Sequence, residues 1–143
     1  MVEAKAIPRY ADVTVGSALS PLVQPPLTRQ QLAVYCGASG DHNPVHVDID
    51  FAREAGLGDV IAHGMLVMAW MGRCLSAWAP QPAIRSFETR FLATTRVGDV
   101  VTCGGEVVDK YLADGEQRVR VRLWACDQRG EMKTEGEAIV ALS

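Results

Sequence analysis

Two of the three histidines in this 143-residue chain fall in one short run, Gly40-Asp41-His42-Asn43-Pro44-Val45-His46, together with a carboxylate and a proline. The spacing of Asp41 and His46 would not put them on one face of a regular helix. Proline drives the residue before it into an extended conformation, so Asn43-Pro44 excludes a continuous helix and bends the chain. A turn there can bring the Asp41 carboxylate and the His46 imidazole into one small volume. Such a pair can hold a water molecule between a base and an acid, which is what hydration of a double bond needs. The residue types also fit a second reading: a surface Asx-turn with an incidental histidine has the same composition.

Other candidates are weaker. Asn43 either shapes the turn or touches substrate, and His42 reads as a solvated side chain. His63 could be catalytic, but capping or bracing the start of a helix is the preferred reading. Asp41, His46 and His63 could in principle assemble a metal site; no His-x-x-x-His or paired cysteines support one, and neither metal nor cofactor is expected. Cys36, Cys74, Cys103 and Cys126 lie far apart, as expected of reduced, buried thiols in a cytoplasmic protein.

These residues need elements to hold them. Thr28-Arg29-Gln30-Gln31 has a capping-box pattern, in which the Thr28 hydroxyl accepts from the Gln31 N–H and the Gln31 side chain reaches back. Leu27, Gln31, Leu32 and Tyr35 then mark one helical face, and Gly37 and Gly40 are expected to end the helix. Residues 40–50 read as a loop. A short helix follows from 48 or 50 to 55, stopped by Gly56. Between His63 and Pro80 only Arg73 and Ser76 are polar, and a helix apolar on nearly every side is expected to be covered on nearly every side.

Four strand-like runs supply the cover: 83–93, 99–108, 117–126 and 132–142. The third alternates Arg118, Arg120 and Arg122 with Val119, Val121 and Leu123, which predicts a sheet with one wet and one buried face. In the first, Phe87, Thr89 and Phe91 are expected to point inward. Turn residues separate the runs at 97–99, 113–115 and 128–130. Residues 13–16 and 22–23 are candidates for an edge strand and its approach. An antiparallel sheet curled around a long apolar central helix is an α+β arrangement, the hot-dog fold, with residues 1–143 as a single domain.

Bulk properties agree. Apolar residues make up 48% of the chain and charged residues 22%, and the formal charge of −3 gives no basic field for nucleic acid. No segment is apolar for long enough to span a bilayer, and Pro8, Arg9 and Asp12 break up any secretion-signal pattern.

The run ending at His46 resembles the G-D-x-N-P-[LIV]-H signature of the MaoC-like dehydratases and (R)-specific enoyl-CoA hydratases. Every defined position matches, with Tyr35 upstream and Ala52 downstream. Ile61-Ala62-His63-Gly64-Met65 is similar to that family's entry into its central helix, and the similarity includes the Val97-Gly98-Asp99 turn. The resemblance implies reversible hydration of trans-2-enoyl thioesters, or dehydration of (3R)-hydroxyacyl thioesters, carried on coenzyme A or acyl carrier protein. It assigns the water-holding roles to Asp41 and His46 and the oxyanion donor to the Gly64 N–H. A helix N-terminus suits that job, having unsatisfied N–H groups and a positive dipole end. Asn43, Met65 and Met68 become candidate substrate contacts, and the subunit is expected to pair with itself or with another hot-dog chain. Stand-alone hydratases of the family often carry serine where this chain has Gly72; in that respect it looks more like the catalytic subunit of mycobacterial-type (3R)-hydroxyacyl-ACP dehydratases. Two competing readings are a non-catalytic or co-dependent acyl-binding subunit, which is expected to lack the aspartate and histidine, and a thioesterase, which is expected to carry a carboxylate on the central helix. Residues 65–79 contain none.

Overall fold

The computed structural model describes residues 7–143, so that part of the N-terminal reading which falls on residues 1–6 lies outside the described residues. Helix α1 runs Arg29–Ser39, and its N-cap is Thr28, whose hydroxyl accepts from the Gln31 N–H at 3.1 Å. Gly40 closes it with φ 77°, a left-handed conformation that glycine adopts without strain. Gly37, expected to share in stopping the helix, lies inside it. Leu32 and Cys36 form its buried face, with Leu27 packed just ahead of the cap. After a 3-10 turn at Pro44–His46, helix α2 covers Ile49–Glu54, capped by the Asp48 carboxylate on the Phe51 N–H.

The central helix α3 spans Gly64–Trp78. Its buried residues, Leu66, Val67, Trp70, Met71, Cys74 and Leu75, recur at the spacing of one helical stripe. That stripe packs against a five-stranded antiparallel sheet in the order β1-β3-β4-β5-β2, with β1 at Leu22–Val23, β2 at Ile84–Phe91, β3 at Thr102–Ala113, β4 at Glu116–Cys126 and β5 at Met132–Leu142. Val119, Val121 and Leu123 of β4 and Ala138 and Val140 of β5 meet it from the sheet's inner face. This is the expected α+β hot-dog arrangement. The expectation that the helix is covered all round is corrected: Met65 is 56% exposed, and Ala69, Arg73 and Ser76 are also open. Five strands curl over only one side of a helix whose apolar residues run further round.

The strand boundaries differ from expectation for local reasons. β3 starts late because Asp99 belongs to the preceding turn, where its carboxylate accepts from the Arg96 N–H at 2.8 Å. It then runs on beyond Val108 through a bulge between Val107 and Asp109, to a two-residue hairpin at Asp114 and Gly115 with φ values of 53° and 74°. Asp-Gly is a residue pair that such a turn favours. Residues 13–16 form no strand, while Leu22–Val23 pairs with β3 at the sheet edge. On the outer face, Arg118, Arg120 and Arg122 pair with Glu116, Glu137 and Glu106 at 2.9, 3.3 and 4.0 Å. Phe91, expected inward at the end of β2, is 50% exposed and leans over the start of α3. Among the described residues no helix is long and apolar enough to cross a membrane.

The fold also encloses a charge cluster around Lys133. Lys133 is 1% exposed, and its ammonium donates to the Thr94 carbonyl at 2.8 Å and to Glu131 at 2.5 Å. Asp127 and Asp99 lie at 3.3 and 3.5 Å. Burial works against the charge, but Glu131, Asp127 and Asp99 overcome it and hold Lys133 above the ordinary lysine value. The cluster ties the β4–β5 turn to residues 92–96. Removing the cation leaves buried Asp127 with Arg129, 2.7 Å away, as its remaining charged partner, so Lys133→Ala is expected to lower stability by about 1–3 kcal/mol, measured by urea denaturation.

Candidate active site

The bend at Asn43-Pro44 forms as expected. The Asn43 side-chain oxygen accepts from the Val45 N–H at 3.1 Å and starts the 3-10 turn that carries His46. The Asp41 carboxylate accepts from the Asn43 N–H at 3.2 Å, an Asx-turn that fixes the loop just before the bend. The result puts Asp41 Oδ2 3.9 Å from His46 Nε2, with His46 buried and the Asp41 side chain half exposed. Carboxylate and imidazole thus share the small volume that the sequence pattern allowed.

His46 Nδ1 lies 2.7 Å from the carbonyl oxygen of Ile61. A carbonyl can only accept, so the neutral ring carries its proton on Nδ1. The Nε2 lone pair is therefore the one that faces Asp41. The gap of 3.9 Å exceeds a direct hydrogen bond and suits a single water bonded to both groups.

His63 is where the sequence reading needs correction. It occupies the N-cap of α3 but makes no side-chain cap. Instead its ring stacks on that of His46, with centroids 3.7 Å apart and planes 22° from parallel. Its Nε2 lies 3.2 Å from the Asp41 carbonyl oxygen and 3.4 Å from the Cys36 sulfur, and the Tyr35 ring meets it edge-on at 4.6 Å. The ring thus packs on the Asp41–His46 pair and not on the helix start. No local pattern signals it, because the contact joins two turns far apart in sequence. Burial pushes the His63 imidazole below its ordinary value, so the ring stays neutral, and burial likewise pushes the Cys36 thiol up. With its proton on Nε2, His63 leaves Nδ1 buried and without a partner, at a cost of about 1–3 kcal/mol.

Ligand atoms of Asp41, His46 and His63 lie within 4.8 Å of one another, close enough to be considered as a metal-binding set. The geometry fits poorly. Nearly parallel rings keep their in-plane lone pairs side by side, where a tetrahedral ion needs them to converge.

Gly64 follows His63 and opens α3, so its N–H has no carbonyl one turn below to receive it. It borders a cavity of about 300 Å³ whose walls include Ile61, Ala62, Phe91, Thr94 and Thr95. Asp41 and His46 do not line this cavity; Ile61, which holds His46, does. A Cβ on Gly64 would stand 3.0 Å from the Phe91 ring. Met65 and Met68 lie outside the cavity, on the part of α3 turned away from the sheet, and His42 is exposed. Asn43 uses its oxygen to cap the turn. Gly72 faces the Phe87 ring beside a second cavity of about 680 Å³ lined by Ala69, Leu75, Ile84 and Ser86.

Fold and site together define a hot-dog domain with a carboxylate–imidazole pair where the chain enters its central helix. Residues 11–128 match the family described as the MaoC like domain, and the chain belongs to that family. It is 31% identical over 133 residues to the (R)-specific enoyl-CoA hydratase of Rhodospirillum rubrum, covering 92% of this chain and 89% of that protein. It is 29% identical over 134 residues to the 3-hydroxybutyryl-CoA dehydratase of Methylorubrum extorquens, covering 92% and 82%. The solved structure of the R-hydratase PhaJ1 from Pseudomonas aeruginosa, unliganded, superposes with a TM-score of 0.81 at 29% identity, covering 94% of this chain and 86% of that one.

The buried neutral His63 sets a pH dependence. An unfolded imidazole takes up a proton near pH 6.5, whereas the folded ring resists. Below that value the unfolded state binds more protons, so stability falls as pH falls. The melting temperature is expected to drop between pH 7.5 and pH 5, and His63→Phe should flatten that part of the profile.

Proposed function

We propose that this chain catalyses the reversible addition of water to trans-2-enoyl thioesters, giving (3R)-hydroxyacyl thioesters carried on coenzyme A or acyl carrier protein. One observation carries the reading: His46 presents a free Nε2 lone pair to the Asp41 carboxylate across a gap that fits one water. A water held there has its oxygen free to attack C3 of the enoyl group. As that bond forms, Nε2 takes a proton from the water and the double-bond electrons move onto the thioester oxygen. The Gly64 N–H, at the positive end of α3, holds the enolate oxygen. The protonated pair then returns a proton to C2, which completes the addition; dehydration is the same path reversed. The two hydro-lyase relatives, one named for each direction, support the assignment.

In this reading residues 1–143 act as one MaoC-like hot-dog domain, supported by the single hydrophobic cluster that runs through the described residues. The domain pairs with a second hot-dog subunit, identical or related. The open edge of β2 supports this, with Ile84 and Phe87 of β2 bordering one cavity with Ala69 and Gly72 of α3.

Loss of the conjugated enoyl-thioester absorbance, followed with crotonyl-CoA and longer homologues, tests the activity. Asp41→Asn and His46→Gln are each expected to cut kcat by about 10²–10⁴-fold with the fold intact. Near-normal turnover in either variant would overturn their roles. Gly64→Ala should keep its fold, because the half-exposed Phe91 ring can give way. The added methyl crowds the thioester oxygen, and a fall in kcat of about tenfold or more is expected from weakened oxyanion contact.

A further inference from the structure

We propose that His63 is a positioning residue that sets the Asp41–His46 separation, through its stacked ring on one side and its hydrogen bond to the Asp41 carbonyl on the other. The inference rests on the reading of Asp41 and His46 as the proton-transfer pair.

At its Asp41 end the loop is otherwise tied only to its neighbours in sequence. The Asp41 N–H donates to Ser39, the Asn43 N–H to the Asp41 carboxylate, the Val45 N–H to Asn43, and the His46 N–H to the Asn43 carbonyl. All of these lie between Ser39 and His46. The far end of the loop is anchored by the Ile61 N–H, which donates to the Val45 carbonyl at 3.2 Å, so the unit with freedom to shift is the Asp41 end beside Gly40, whose left-handed backbone marks its start. The hydrogen bond from His63 Nε2 to the Asp41 carbonyl joins this unit to the entrance of α3. His46 is held from the same short stretch, by the Ile61 carbonyl at its edge and the His63 ring over its face. One extended segment, 61–63, therefore acts as the template for both reacting groups. The template is itself held from α1, by Tyr35 against the edge of the His63 ring and Cys36 beside its Nε2. Tyr35, Cys36, Asp41 and His46 are the titratable groups that face it.

A phenyl ring in the place of His63 would fill the same space and stack equally well, without the unpartnered buried nitrogen. The hydrogen bond to Asp41 is what an imidazole adds. His63→Phe therefore separates a stabilising role from a positioning one, and His63→Gln removes the ring while keeping a donor. Both are assayed as the full chain with crotonyl-CoA, alongside wild type and Asp41→Asn, and the His46 Cε1–H resonance is followed by NMR. A displacement of about 1 Å in a reacting group is costly, so kcat is expected to fall about 10- to 100-fold in His63→Phe with KM within about threefold. The melting temperature at pH 7.5 should not fall. In His63→Gln the His46 resonance should move downfield as the ring current is lost, and kcat should fall as well.

Turnover within twofold of wild type in both variants would sink the proposal, as would a loss of kcat matched by an equal rise in KM and a lower melting temperature. If His63→Phe does not fold, His63→Gln carries the same test, and an unmoved His46 resonance there defeats the stack. Wild-type turnover in Asp41→Asn would mark the failure of the proton-transfer reading instead, and the resonance then still reports on the stack.

Discussion

The hydrogen bond from His46 Nδ1 to the Ile61 carbonyl decides which edge of the imidazole can do chemistry. Without it the ring could carry its proton on either nitrogen, and the Nε2–H tautomer would face Asp41 with a donor. A main-chain acceptor at 2.7 Å removes that ambiguity. Because Ile61 stands just ahead of α3, the choice of tautomer is built into the way the chain enters its central helix. The same entry provides the Gly64 N–H, so the proposed base and oxyanion donor are placed by one stretch of backbone.

The sheet serves this entry. α3 packs against it through a single stripe from Leu66 to Leu75, which sets the height and direction of the helix N-terminus. Thr95 fixes the approach by accepting from the Ala62 N–H at 2.9 Å, and Ile61 bridges to Arg96. The segment 92–96 thus walls the cavity beside Gly64, and Ile61 stands between that cavity's lining and His46. Stability and chemistry meet here: the apolar stripe supplies rigidity, and the polar groups at its end use it.

Local rules were enough for much of this. The Thr28 cap, the Asp48-led helix, the Asp-Gly hairpin and the period-two alternation of β4 are decided by neighbours in sequence, and each lies where the sequence puts it. The bend at Asn43-Pro44 was legible for the same reason, and with it the approach of Asp41 to His46. What sequence could not disclose depends on partners distant along the chain. An apolar α3 says that it needs cover and does not say how much one sheet can provide. The bulge that carries β3 past Val108 answers to its register with β4. His63 reads as a helix-start residue because its nearest sequence feature is the helix; its physical neighbours are Tyr35, Cys36, Asp41 and His46.

The Lys133 cluster has a mechanical consequence. Its ammonium grips the Thr94 carbonyl and Asp99 on one side and Glu131 and Asp127 on the other, so the connection between β4 and β5 works as a clasp on the cavity wall at Thr94. By sequence position that connection looks like a spare surface turn, open to insertion or grafting. Lengthening it would slacken the clasp and let the wall drift, so alterations made there would be felt in how tightly the protein encloses what it binds.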